Sequence, residues 1–321
     1  MPEAKSQEPY EISGLRSMSK KVIIPPIKSQ GIKTKLVPWI RDLVPSREGR
    51  WIEPFLGTGV VGFNMGFERA IMGDSNPHTI RFYSEIQSGR ITAAVVKQYL
   101  QKEAELLRKA DDKGYAHFRV VRDRFNASFE PLDLLFLSRA GFNGMMRFNK
   151  KGLWNIPFCQ KPERFRDAYV TKIVNQVKNC SVVIKPRWQF LNRNFEEVIP
   201  MARETDVIYC DPPYYGRYVD FYNGWTEENE AKLFELLSKT PARFILSTWH
   251  HNDYRANEMV PKYWSKFNIV TRDHFYHSGA KEENRKSVVE ALVFNFDAKP
   301  EEAKKQKARH VQPSLFDAAA A

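Results

Sequence analysis

The sequence predicts an α/β fold built around a mostly parallel sheet, and two observations carry that expectation. Short apolar runs of strand length, Val207 to Cys210 above all, stop abruptly and alternate with longer stretches of helical periodicity. In addition, Gly57, Gly59 and Gly62 spell GxGxxG directly after one such run, and Asp74 closes the next, Ala70 to Gly73.

VIYCDPPY, residues 207–214, is the stretch around which the rest is organised. The buried run must end at Asp211, because the two prolines after it each fix φ and remove a backbone donor. A carboxylate thus stands at the carboxyl end of a strand, where open α/β sheets bind their ligands. Asp211 and the Pro212 carbonyl make a pair of fixed acceptors, with Pro213 stiffening the corner and Tyr214 expected to offer a flat face nearby. That arrangement suits a planar group bearing an NH2, such as a nucleobase amine.

Taken in order, residues 1–24 lack periodicity and read as a loose arm. Ile32, Leu36, Val37, Ile40, Leu43 and Val44 recur at helical spacing, which predicts a helix from near Gly31 with Lys33 and Lys35 in its first turn. The helix dipole gives cations no help there, so a role beyond helix stability is open to these lysines. Trp51 to Pro54 is a strand, and the glycine turn should lead from it into a helix. The glycines permit a tight turn and close approach of a ligand, while Asp74 can accept from two ribose hydroxyls. Any nucleoside-bearing cofactor satisfies that geometry, a dinucleotide or S-adenosylmethionine (AdoMet) alike.

Residues 80–135 read as helices, with Ile91 to Leu107 long and amphipathic and Tyr115 to Phe125 aromatic and basic. Residues 138–165 mix Gly, Asn, Arg and aromatics without a regular apolar period, predicting an ordered loop or small hairpin. Arginine forks onto guanine or phosphate, and Asn pairs with the edge of adenine. Aromatics fill gaps in a base stack, which completes the chemistry of nucleic-acid recognition. Strands are expected at Ser181 to Ile184, Gln189 to Leu191, Phe244 to Ser247, Ile269 to Tyr276 and Glu290 to Phe296, with a helix capped by Thr226. His250 and His251 read as a polar loop after a strand, since no ligand spacing around them suggests a metal. Residues 297–321 form a charged tail, expected to be disordered, that ends in the apolar Leu315 and Phe316.

Composition narrows the classes. The chain of 321 residues has a net charge of +12 and a pI near 9.5, and a basic surface attracts phosphate backbones. Mean hydropathy is −0.51 and no apolar run approaches the length of a membrane span, which predicts a soluble, cytoplasmic protein without a membrane partner. Three cysteines without CxxC spacing predict reduced thiols and no structural zinc.

With these pieces in order, the chain resembles the Dam-like group of bacterial AdoMet-dependent DNA adenine-N6 methyltransferases over most of residues 25–296. The motifs are KSQGIK (28–33), EPFLGTG (53–59), RAGFNGMMRFN with GLWNIPF (139–149 and 152–158), DPPY (211–214) and the closing NRKSVVEALVFNF (284–296). The resemblance implies a Rossmann-like AdoMet-dependent methyltransferase fold with a seven-stranded sheet, plus a smaller helical and loop DNA-recognition insert. Residues 25–80 and 180–296 would form the catalytic domain and 81–179 the insert. By resemblance, Ser29, Gly31, Lys33, Pro54, Phe55, Gly57, Gly59, Asp74, Asn76, Asn194, Phe195 and Asp211 would bind the cofactor. The family often carries an aromatic where Ser29 stands and Asp where Asn194 stands. Arg139, Asn143, Arg147, Asn149, Lys150, Lys151 and Trp154 would contact double-stranded DNA, and Asp211 to Tyr214 would hold a flipped adenine. QPSLF, with Gln312, Leu315 and Phe316, resembles the pentapeptide by which bacterial proteins dock on the replication sliding clamp. Methylation of cytosine N4 or of RNA, a nicotinamide oxidoreductase and a non-catalytic DNA-binding relative are the alternative readings.

Overall fold

The computed structural model describes residues 21–216, 224–275 and 287–297. Its centre is a seven-stranded sheet in the order β3-β2-β1-β4-β5-β7-β6. The strands are β1 Trp51–Glu53, β2 Ala70–Asp74, β3 Trp188–Asn192, β4 Val207–Cys210, β5 Arg243–His251, β6 Asn268–Phe275 and β7 Ser287–Phe294. The five strands from β3 to β5 run parallel, and β7 is antiparallel to both of its neighbours. All four residues of β4 are buried, as expected of a central parallel strand covered on both faces. Strand order reverses between β1 and β4, which makes the crevice beyond their carboxyl ends the topological switch point.

Eight α-helices accompany the sheet among the described residues: α1 Val37–Leu43, α2 Pro77–Gln87, α3 Ala93–Lys109, α4 Tyr115–Ser128, α5 Pro131–Ala140, α6 Asp167–Val183, α7 Phe195–Val198 and α8 Glu227–Lys239. Helices α2 to α6 fall between β2 and β3. Their core is continuous with that of the sheet. One apolar cluster joins Trp51 and Tyr209 to Phe125, Leu134 and Val177. The expected limits of the insert fall inside helices, since α2 spans residue 80 and α6 spans residue 180. A keystone of charge binds the inserted helices together. Arg124 donates to Asp133 and to Glu103, and Glu103 also meets His117 at 2.6 Å. Such a pairing compensates carboxylates that would be costly to bury alone.

Several local expectations are corrected. The first helix starts at Val37, not near Gly31, so Lys33 and Lys35 precede it. Pro38 in its first turn has no N–H for the carbonyl of Thr34 and its ring would clash there, while Gly31 is left-handed with φ +75°. Ser181 to Ile184 is no strand, because α6 runs to Val183 on the helical spacing of Val170, Ile173, Val177 and Cys180. After GxGxxG there is a single 3-10 turn, Gly62–Asn64, where a full helix was expected. His250 and His251 are the last residues of β5 and are not loop residues. The expected disorder of 298–321 and the loose arm up to residue 20 concern segments outside the described residues, as does QPSLF.

Candidate active site

The loops after β1 and β4 meet at the switch point. After β1, Gly57 takes φ +51° and donates its N–H to Asp74 Oδ2 at 2.7 Å, while Asn76 donates to Asp74 Oδ1 at 2.8 Å. The carboxylate ending β2 therefore closes the glycine turn. Burial pushes the Asp74 carboxyl above its ordinary range, and these two amides oppose that rise. A Cβ at Gly57 or at Gly31 would meet nothing within 4 Å, so both glycines border open space. Gly62 serves packing, because a Cβ there would stand 2.3 Å from Glu53 Oε2 and 2.6 Å from Met72.

Asp211 follows the last residue of β4. Its Oδ1 lies 3.0 Å from the ammonium of Lys33, which is itself buried, and its side chain is 20% exposed. Burial pushes the Asp211 carboxyl upward, with Lys33 opposing and buried Glu290 on β7 adding to the rise. The same ammonium lies 4.7 Å from the centre of the Tyr214 ring. Tyr214 does not present the open flat face expected of it. It is 9% exposed and its hydroxyl donates to Glu290 Oε2 at 2.5 Å.

Beside the glycine turn, half-buried Phe55 stacks on buried Phe195 with centroids 5.3 Å apart, and Trp225 meets both edge-on or tilted at 5.7 and 5.6 Å. Pro54 is buried between β1 and this cluster. Asn194 serves as the N-cap of α7 in a capping box with Glu197. Asn76 caps α2 through its Oδ1, and its Nδ2 reaches Met146 Sδ at 3.5 Å, joining the loop after β2 to the hairpin. Ser29 is half-buried on the segment that leads to Lys33.

That segment is pinned by Arg139, which was expected on DNA and is instead buried. Its Nε donates to Pro26 O at 2.6 Å and an amino group donates to Gln176 Oε1 at 2.6 Å, so a base contact would leave two acceptors unpaired. Trp154 is likewise in the core at 2% exposed, donating to Ile156 O. Asn149 spends its Oδ1 on the N–H groups of Lys151 and Leu153, closing the turn between the paired Phe148 and Trp154. Lys150, Lys151 and Asn143 are exposed, and Arg147 is half-buried with its Nε on Asn155 Oδ1 at 3.2 Å. The residues 141–158 thus do form a small hairpin.

Sequence reasoning missed Glu53, Glu290, Trp225 and Phe142. Glu53 and Glu290 sit inside apolar strand text, where a lone acid is silent until its neighbours are known. Phe142 is 49% exposed beside the left-handed Asn143 at φ +52°; the aromatics of this block read alike as base-stack fillers, and nothing in the sequence singles this one out from buried Phe148 and Trp154.

A mostly parallel seven-stranded sheet with this switch point, a carboxylate-closed glycine turn and an Asp-Pro-Pro-Tyr corner place the chain in the Rossmann-like α/β methyltransferase class. Residues 29–278 match the model of the D12 class N6 adenine-specific DNA methyltransferases. The chain belongs to that family. It is 26% identical over 281 residues to the type II methyltransferase M.FokI of Planomicrobium okeanokoites, covering 84% of this chain and 42% of that protein. It is 31% identical over 195 residues to a DNA adenine methylase of Haemophilus influenzae, covering 59% of this chain and 63% of that one. A DNA adenine methylase of Vibrio cholerae is 31% identical over 228 residues, 67% of this chain and 76% of the relative. The chain thus spans less than two thirds of the length of the first two relatives.

Proposed function

We propose that this chain transfers a methyl group from AdoMet to the N6 amine of an adenine flipped out of double-stranded DNA at a specific site. The observation that carries this reading is Asp211 directly after β4, facing the buried Lys33 ammonium and followed by Pro212 with its carbonyl. A cation bearing N–H donors already pairs with the Asp211 carboxylate, which supports reading the corner as a receiver of N–H groups.

The residues around the glycine turn fit AdoMet. Gly31 and Gly57 border open space, Asp74 holds carboxylate lone pairs beside them for ribose hydroxyls, and Phe55 with Phe195 and Trp225 supplies an aromatic wall for an adenine ring. Bound there, AdoMet supplies a methyl group on a sulfonium sulfur, open to direct attack by a nitrogen lone pair. Asp211 and the Pro212 carbonyl accept hydrogen bonds from the two N6–H groups, which draws the nitrogen out of conjugation with its ring. That change is stabilised more in the transition state than before it. One N6 proton is lost to solvent when the new N–C bond has formed. The prolines hold these acceptors in place, so little ordering is left for the moment of reaction. Tyr214 packs against the extruded base.

Residues 81–179 serve as the target-recognition insert in this reading. Lys150 and Lys151 meet phosphates, Asn143 and Arg147 approach base edges, and exposed Phe142 enters the gap left by the flipped base. Gln312, Leu315 and Phe316 would tether the enzyme to the sliding clamp, which a binding titration with the QPSLF peptide tests. The setting is cytoplasmic, and no helix among the described residues is long and apolar enough to cross a membrane.

The deciding experiment incubates unmethylated duplex DNA with the protein and labelled AdoMet, then resolves the nucleosides by mass spectrometry. N6-methyladenine is expected. N4-methylcytosine, or label in RNA alone, would sink the reading, as would full activity of Asp211→Ala.

A further inference from the structure

Tyr214 is held by two residues that the proposed chemistry does not itself place on the substrate. Glu290 on β7 and Trp249 on β5 are Cα partners across the antiparallel pair, 0% and 2% exposed. Glu290 Oε2 accepts from the Tyr214 hydroxyl at 2.5 Å, and Ser247 Oγ lies 3.5 Å from the same oxygen. Trp249 packs with Tyr214 and Val288 and donates its indole N–H to Tyr215 O at 3.0 Å. Arg255 lies 5.2 Å over the Trp249 ring and donates to Gly216 O at 2.5 Å. Three consecutive residues of the corner, 214 to 216, are therefore each anchored to β5, to β7 or to the turn after β5.

A carboxylate at a fully buried strand position is costly to desolvate, and an apolar side chain would fill the same space without that cost. A tyrosine ring turns about two side-chain bonds, and fastening its hydroxyl removes that freedom.

We propose that Glu290, with its cross-strand partner Trp249, is a positioning residue that locks the Tyr214 ring in the orientation needed to pack against the target base. This rests on the reading of Asp211 to Tyr214 as the corner that binds adenine. Glu290 acts through the phenol and does not itself touch substrate. A ring misplaced by about 1 Å is enough to cost on the order of 100-fold in rate.

The test is a double-mutant cycle on the full chain, with long unmethylated duplex DNA of mixed sequence and tritium-labelled AdoMet. Tyr214→Phe and Glu290→Ala are each expected to lower kcat about 10- to 100-fold, with AdoMet affinity held within about twofold. The double variant should be no more than about threefold worse than the worse single one, because both remove the same bond. Glu290→Gln, which keeps an acceptor, should regain most of what Glu290→Ala loses. Losses that multiply, a Tyr214→Phe enzyme with wild-type kcat, or Gln as poor as Ala would each overturn the assignment. Should Glu290→Ala fail to fold, Tyr214→Phe decides together with Glu290→Gln in that background, where a further large loss overturns it. A wild-type chain that makes no N6-methyladenine overturns the adenine reading and this assignment together, whereas an active wild type with additive losses sinks only this one.

Discussion

Glu53 should make this protein less stable as the pH rises. It is the last residue of β1, is 2% exposed, and accepts a hydrogen bond from Trp51 Nε1 at 2.8 Å. Burial raises its carboxyl to about 8, helped by the charges of Asp211 and Asp74 and opposed by the bonds from Trp51 and from the Gly62 amide. In the unfolded chain it titrates near 4.5. Because the folded value is the higher one, the stabilisation is complete below the unfolded value and is lost as the pH climbs through 8. At about 1.4 kcal/mol per pH unit, on the order of 3–4 kcal/mol disappears between pH 5 and pH 8. Glu53→Gln keeps an acceptor for the indole and cannot ionise. Urea unfolding of both proteins at several pH values, followed by tryptophan fluorescence, isolates the effect as the difference between them. The variant should gain on the wild type by that amount across the window. Parallel curves would refute the reasoning, since they would mean that Glu53 is ionised in the fold or exposed by local opening. A neutral Glu53 also spares Asp211 and Asp74 a third carboxylate charge between them.

Four further outcomes follow from the same geometry. Asp211 must be ionised to accept an amine, and its folded value is raised, so kcat/KM should fall with decreasing pH at a limb above the ordinary aspartate range; Lys33→Met should move that limb higher, and a limb at the ordinary range would contradict it. Asp74→Ala removes the partner of the Gly57 amide and a ribose acceptor, and calorimetry should show AdoMet affinity reduced at least about tenfold, at roughly 1.5–3 kcal/mol for a charged hydrogen bond. Lys150→Ala with Lys151→Ala should weaken DNA binding evenly across sequences and reduce the salt slope by about 2. Arg139→Ala, by contrast, should lower folding stability by about 2–5 kcal/mol and leave that slope alone, which thermal denaturation and the same salt titration together decide.

Most of the sheet was legible because its strands are short, apolar and bounded by breakers. β4 stops at Cys210 where Asp-Pro-Pro demands it, and Asp74 stands at the end of β2 as its place after an apolar run suggests. Three misreadings have separate causes. At Ser181 to Ile184, β-branched residues masked a helical repeat of buried positions that began upstream. Near Gly31, the apolar period was real but Pro38 and a left-handed glycine forbade the turn. At Arg139, the residue type suited DNA, yet two carbonyl-type acceptors from distant segments already claimed its guanidinium.

By itself, then, the order of residues determined the layering of the fold and the chemistry at its switch point, because glycine, proline and aspartate act through local backbone geometry that needs no distant partner. Only the tertiary structure decided which charges face one another. Lys33 reaches Asp211 across 178 positions of sequence, and Glu290 reaches Tyr214 across 76. Such pairings depend on strand order and burial, and burial is also what drives Glu53 to hold its proton, a property that no single residue's neighbours in the chain can express.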